Sequence, residues 1–330
     1  MFAMNKPIKC AVYGTGHAHM PGKLDVLQRL DQWEVVGVCE PDSDCKSTLQ
    51  NDPSTSQWNW ISEEELLTDR TIKMIAIESD VLRLMPLATK AVEASKHIHL
   101  DKPPGIQLDE LRQLQDIAHP KNLIIQMGYM FRYNEGFKLV RQAFHEGWLG
   151  HVHYMHAAMV SSFGQDERDN CAFHPAGILL EFGGHLFDQI VMLMGKPQKI
   201  TPYMRHDGKH DDQFTDHCTT ILEYEQALVV VETSALEGQG FTRRIFEAVG
   251  SNGSIILQPL EPPAVRLLLA EPAGGYEPGV HDIDIHQPPR YEADLVELAQ
   301  CISGEQPLPY TSEHDYLAQE TFLRACGVDL

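Results

Sequence analysis

Between Ile8 and Tyr129 short β-prone runs alternate strictly with amphipathic helical stretches, and that rhythm restricts the folds open to this chain more than any other feature. The runs are Ile8–Val12, Trp33–Cys39, Ile72–Ile77, His97–Leu100 and Leu123–Tyr129. Between them, Leu24, Leu27 and Leu30 share one side of a helix. Leu87, Ala88, Ala91 and Val92 face inward from a helix over Met85–Ser95, and Leu108–Ala118 reads as another. Such alternation predicts a parallel, doubly wound sheet.

Beyond Tyr129 the period changes. A helix over Gly136–Trp148 is followed by alternating segments at His151–Val160, Thr219–Tyr224, Ala227–Thr233, Arg243–Val249 and Ser254–Gln258, which predict an antiparallel sheet. A helix over Ile178–Met194 interrupts them, and Asn252-Gly253 marks a hairpin between the last two strands. Helices at about Arg290–Ser303 and Glu313–Cys326 close the chain. The expected class is α/β: a doubly wound parallel domain over residues 1–126, then an α+β domain with an open, mainly antiparallel sheet over 127–330. The last helix is a candidate to pack back toward the first domain. A length of 330 residues suits two such cores.

Charge and cysteine usage exclude several partners. A net charge of −21 repels polyphosphate backbones and anionic membranes, so neither nucleic acid nor lipid is expected. No apolar run is long enough to span a bilayer, and Met1 to Pro7 leads into a strand without an apolar signal core, which predicts a cytoplasmic protein. The seven cysteines are odd in number and form no C-x-x-C pair, as expected for reduced thiols without a disulfide or zinc role.

Three stretches carry chemistry. The first strand runs into Gly14-Thr15-Gly16-His17-Ala18-His19, where Gly14 permits a tight turn and Gly16 lets a pyrophosphate approach the following helix N-terminus. His19 stands where a third glycine is usual. Glu40 ends the second strand, where a carboxylate can accept from both ribose hydroxyls and would repel a 2′-phosphate. The next residues, Pro41-Asp42-Ser43-Asp44, bring no arginine, so NAD is expected to bind at least about tenfold more tightly than NADP, with either Glu40 or Asp42 facing the ribose. Lys102 sits just past the fourth strand, on a turn stiffened by Pro103-Pro104-Gly105, at the strand ends where open α/β sheets bind ligands.

Within Ile178–Met194, Glu181, His185 and Asp188 fall at i, i+4 and i+7 on one helical face. A carboxylate one turn from a histidine can orient its ring for proton transfer. Gly183 and Gly184 weaken the helix, which suggests that a substrate or the other domain approaches the backbone there. The Glu181/His185 spacing also suits a metal pair, but no second pair supports it, and His151, His153 and His156 do not share one strand face; no metal is assigned.

Taken in order, these parts resemble the Gfo/Idh/MocA family of NAD(P)-dependent oxidoreductases. Gly14-x-Gly16 resembles its nucleotide turn, and Lys96-His97 through Asp101-Lys102-Pro103 its lysine segment. Gly128 to Asn134 resembles its crossover strand, and Gly183-x-His185-x-x-Asp188 its active-site helix. The resemblance implies a Rossmann domain, an open antiparallel sheet, and substrate held between that sheet and the nicotinamide. It implies cofactor contacts from Gly14, Thr15, Gly16 and His17 in the turn, from Glu40 and Glu78 at strand ends, and from Asp101, Lys102 and Pro103. Substrate contacts would come from Lys102, Arg132, Tyr133, Glu181 and His185. His185 would accept a hydroxyl proton as hydride leaves the same carbon, Lys102 would hold the oxygen, and Glu181 would order both. Asp101 stands for the family's usual Glu, Glu181 for its usual Asp, and Ile77-Glu78-Ser79 for a common Thr-Pro-Asn run. The expected function is an NAD-dependent dehydrogenase acting on a CH–OH group of a sugar, cyclitol or related polyol. The expected assembly is a homodimer or homotetramer. Two alternatives stay open: transient oxidation serving a lyase or glycosidase, and a non-catalytic NAD-binding regulator.

Overall fold

In a computed structural model, which describes residues 6 to 330, the chain opens with β1 (Ile8–Tyr13), α1 (Met20–Arg29), β2 (Trp33–Cys39), α2 (Ser43–Asn51) and α3 (Glu63–Thr68). It continues with β3 (Met74–Ile77), α4 (Val81–Glu93), β4 (His97–Leu100), α5 (Leu108–Ala118) and β5 (Ile125–Met127). Met1 to Asn5, part of the stretch read for a signal core, lie outside the described residues. The five strands pair in parallel in the order β2-β1-β3-β4-β5. Every residue of β3 is buried, as a strand covered on both faces requires. The order reverses between β1 and β3, so the ligand crevice of such a sheet opens beyond Tyr13 and Ile77.

Two helices escape a periodicity reading because they bury almost nothing. α2 has no buried residue and α3 only Leu66; their starts are fixed by Asp42 and Ser62, whose side chains cap the first turn. α4 begins at Val81, not Met85. Asp80 caps it, and Pro86 lies inside the helix.

The chain then forms α6 (Glu135–His145), β6 (Val152–Val160), α7 (Gln165–Cys171), α8 (Ile178–Met194), β7 (Lys199–Arg205), β8 (His217–Glu223) and β9 (Leu228–Ser234). α9 (Gly240–Arg243), β10 (Ile245–Gly250), β11 (Gly253–Leu257), β12 (Val265–Leu269) and β13 (Gly279–Ile283) follow, before α10 (Glu292–Ile302) and α11 (Ser312–Ala325). The second sheet runs β13-β12-β11-β10-β6-β9-β8-β7 and is antiparallel except for β6 with β9. Its strands at β7, β12 and β13 add to the five expected. β7 carries Pro202, which an edge strand tolerates, and β13 is the polar opposite edge. The Asn252-Gly253 hairpin joins β10 to β11, which are therefore not the last strands. α8 lies on β6, β8 and β9. No helix among the described residues is long and apolar enough to cross a membrane.

Two compact units result: Met1–Gly128 with Pro288–Ser312, and Tyr129–Gln287 with Glu313–Leu330. It is the penultimate helix, not the last, that belongs to the first unit. The return is fixed by buried polar contacts: Trp33 Nε1 donates to the Leu295 carbonyl (3.1 Å) and Gln126 Nε2 to the Asp294 carbonyl (2.9 Å). Asp294 itself is 2% exposed, and burial pushes its carboxyl up to about 6, against the pull of Lys23. The folded state thus binds this proton more tightly than the unfolded chain. Its contribution to stability is complete below about pH 4 and is lost as pH rises through about 6, an effect of up to roughly 3 kcal/mol. Asp294→Asn is therefore expected to raise the thermal midpoint of the first unit at pH 8 more than at pH 5; an equal change at both would contradict it.

Candidate active site

In the first unit, the glycine turn is shaped by the loop after β3. Gly14 has φ +87°, and a Cβ there would lie 2.9 Å from Ser79 Cβ; a Cβ on Gly16 would lie 2.8 Å from the Asp80 amide nitrogen. Both positions therefore demand glycine. Gly16 and Ala18 are exposed, and among the described residues their N–H groups donate to no protein acceptor, which suits a phosphate-binding turn. His17 donates its backbone N–H to the Glu78 carbonyl (3.2 Å).

Glu40 is turned into this loop. Its Oε2 accepts from the Thr15 N–H (2.8 Å) and hydroxyl (2.6 Å), and its Oε1 from the Asp42 N–H (2.9 Å) and Arg83 Nη1 (3.4 Å). The side chain is fully buried. Four protein donors occupy a carboxylate with about four acceptor positions, so in this conformation Glu40 braces the turn and does not face outward. The exposed carboxylates beside it are Asp42 and Asp80, and Arg83 lies among all three. No arginine follows Glu40 closely in sequence, yet the start of α4 brings one.

Glu78 is fully buried in a cluster that the sequence does not announce. Lys23 Nζ lies 2.8 Å from Glu78 Oε1 and 2.6 Å from Asp101 Oδ2, with all three side chains at 0% exposure. His17 and His19 place Nδ1 3.2 and 3.1 Å from the same Asp101 oxygen. Burial alone would push Asp101 up, but the Lys23 ammonium above all holds it well below the usual range. For Glu78 burial wins, aided by Asp101 and opposed by Lys23, and its carboxyl sits well above the usual range. Burial lowers His17 to about 3, so its ring is neutral. His17, His19 and Asp101 are also the group among the described residues whose ligand atoms, within 4.8 Å of one another, could hold a metal. The Lys23 ammonium already supplies a cation to the Asp101 oxygen a metal would need. Asp101 Oδ1 accepts the Lys102 backbone N–H (2.6 Å), so the cluster fixes the turn carrying Lys102 and Pro103, both buried; Lys102 is 2% exposed.

In the second unit, His185 on α8 is 1% exposed, with its ring 5.1 Å from Phe131 and 6.2 Å from Tyr129. Glu181, one turn earlier, is half-buried. Asp188 completes the face but is engaged from distant parts of the chain. Arg132 donates to it through Nε (3.1 Å) and Nη2 (2.6 Å), and His314 places Nε2 2.9 Å away. Burial would raise Asp188, and Arg132 and His314 hold it far below the usual range. Arg132 also donates to Asp315 (2.6 Å) and is 1% exposed, so its guanidinium ties the 3₁₀ turn at Met130–Arg132 to α8 and α11. Tyr133 is buried beside it in sequence. The partner for which Gly183 makes room is α11: a Cβ there would lie 2.9 Å from Phe322 Cε2, whereas one on Gly184 would make only ordinary contact with Tyr129 (3.6 Å).

Lys23, Arg83, His314 and Asp315 join these groups without having been singled out in the sequence. Lys23 left one signal, since it shares the buried face of α1 with Met20, Leu24 and Leu27, a position where lysine needs a partner.

Comparison with known proteins bears on the family of the chain. Residues 8–129 match the model of an oxidoreductase family with an NAD-binding Rossmann fold, and residues 137–256 that of the GFO/IDH/MocA C-terminal domain. An uncharacterized oxidoreductase of Schizosaccharomyces pombe is 23% identical over 96% of this chain and 90% of its own. A scyllo-inositol 2-dehydrogenase (NAD(+)) of Bacillus subtilis is 23% identical over 92% of this chain and 89% of its own. A provisionally named NADPH-dependent oxidoreductase from Desulfitobacterium hafniense shares the fold with a TM-score of 0.82 at 15% identity, over 98% and 96% of the two chains. With both halves matched in order, the chain belongs to the Gfo/Idh/MocA family of oxidoreductases.

Proposed function

We propose that this protein is an NAD-dependent dehydrogenase that interconverts a secondary alcohol and the matching ketone on a sugar, cyclitol or related polyol. The observation that carries the reading is Lys102, buried just beyond β4 on a turn pinned by Asp101, within a family NAD-binding fold. NAD bound at the Gly14–Gly16 turn supplies the hydride acceptor, a chemistry no side chain here possesses. His185 accepts the hydroxyl proton, and Lys102 stabilises the negative charge that develops on the same oxygen. Glu181 orders substrate and His185. Asp188, Arg132, His314 and Asp315 hold the α8 face in register and act as positioning residues.

Polyol specificity draws support from the scyllo-inositol dehydrogenase relative. The preference for NAD rests on three carboxylates, Glu40, Asp42 and Asp80, around one guanidinium. Incubating the protein with NAD or NADP and a panel of inositols, sugars and sugar acids should give nicotinamide reduction with at least one member, faster with NAD. A dinucleotide-bound protein that reduces no cofactor with any member, in either direction, would count against the assignment.

A further inference from the structure

Arg83 is the cation beside Glu40 and Asp42, and it is held there by Asp80. Its Nε donates to Asp80 Oδ2, while its Nη1 lies 3.4 Å from Glu40 and 3.7 Å from Asp42. Asp80 also caps α4 by accepting the Arg83 N–H (3.2 Å), so residue 80 fixes both the backbone and the side chain of residue 83. Arg83 is 35% exposed and the Asp80 and Asp42 side chains are each 43% exposed, so the group lies at the surface next to the strand-end carboxylate. A guanidinium at such a place is the usual holder of a 2′-phosphate. Here its charge is already met by three acids.

We propose that Asp80 is a specificity-determining residue: by binding Arg83 it keeps a latent 2′-phosphate site closed, and this contact maintains the preference for NAD. The inference rests on the NAD-binding reading above. It locates the selectivity in the loop after β3, whereas the sequence pointed to the end of β2.

Asp80→Asn removes one charge and the Nε contact but keeps an oxygen able to cap α4. Titrating NAD and NADP separately against the full chain at fixed ionic strength, by quenching of intrinsic fluorescence, gives the affinity ratio without any substrate. The Asp80→Asn variant is expected to shift that ratio toward NADP by about tenfold relative to wild type. Adding Arg83→Met should abolish the shift, because the gain then has no guanidinium to come from. A ratio within about twofold of wild type in Asp80→Asn, or a gain that survives Arg83→Met, overturns the proposal. Thermal midpoints of both variants establish that the loop still folds, and Asp80→Ser, which also caps, replaces Asp80→Asn if it does not. Failure of either dinucleotide to bind the wild type would remove the dehydrogenase reading itself, whereas NAD binding with an unmoved ratio removes only the role of Asp80.

Discussion

Replacing Lys102 by methionine is expected to lower turnover by roughly 10³-fold while leaving NAD affinity within about threefold of wild type. Methionine fills most of the space of the lysine stem, which matters at a position only 2% exposed. The backbone N–H that donates to Asp101 is unchanged, so the turn keeps its anchor. What disappears is the positive charge that, in the proposed mechanism, stabilises developing alkoxide. His185→Asn should cost turnover by a similar order, since it removes the proton acceptor. If both act on one substrate oxygen, the double variant is about as slow as the slower single one, because neither group helps much without the other. Single-turnover reduction of bound NAD measures this directly. Losses that multiply would show that the two residues act in separate steps, and undiminished turnover in either single variant would end the mechanism.

Lys23→Met should destabilise the first unit by about 3–5 kcal/mol, the usual consequence of removing one partner from a buried ion cluster. The variant leaves Asp101 and Glu78 at 0% exposure without their ammonium. In the wild type Asp101 is held below its ordinary range, so it contributes stability at neutral pH that is lost only on strong acidification. In the variant burial goes unopposed by Lys23 and the folded pKa rises above the unfolded one. The sense then inverts: the variant is least impaired at low pH and loses stability as pH rises. Urea unfolding of the full chain at pH 5 and pH 8, followed through Trp33, which lies in β2, separates the two cases. Asp101→Asn in the Lys23→Met background should restore a large part of the loss, since it removes the stranded charge. A single variant as stable as wild type at pH 8 would mean that the cluster contributes nothing.

Much of this was legible in the sequence, for physical reasons that can be named. The parallel sheet announces itself because buried strands are mostly apolar, and four of the five runs from Ile8 to Tyr129 are, His97-Ile98-His99-Leu100 alternating instead. The α8 face was legible because Glu181, His185 and Asp188 stand at helical spacing in a segment whose other residues, Gln189 apart, are apolar or glycine. The partners of those residues were not. Arg132 and His314 reach Asp188 from opposite ends of the second unit, with Asp315 bound to the same Arg132 guanidinium, and no local pattern encodes a contact between residues 126 positions apart. Glu40 shows the complementary limit. Its place at the end of β2 was correct, but the direction of its carboxylate depends on Thr15 and Arg83, which only the fold brings near. Gly183 was read as clearance for a substrate or for the other domain, and its neighbour is Phe322, from a helix whose packing the periodicity could not specify.

The return of Pro288–Ser312 to the first unit also sets the order of events during synthesis. Tyr291 lies over the Lys23 ammonium, 5.6 Å from ring centre to nitrogen, and Gly22 makes room for its ring, where a Cβ would lie 3.0 Å from Cε2. That segment leaves the ribosome roughly 160 residues after Gly128, which at about 5–20 residues per second is a delay of roughly 8–30 seconds. For that interval Tyr291 is not yet present to cover Lys23 on α1. The first unit therefore acquires all of its contacts only after Pro288–Ser312 has been made.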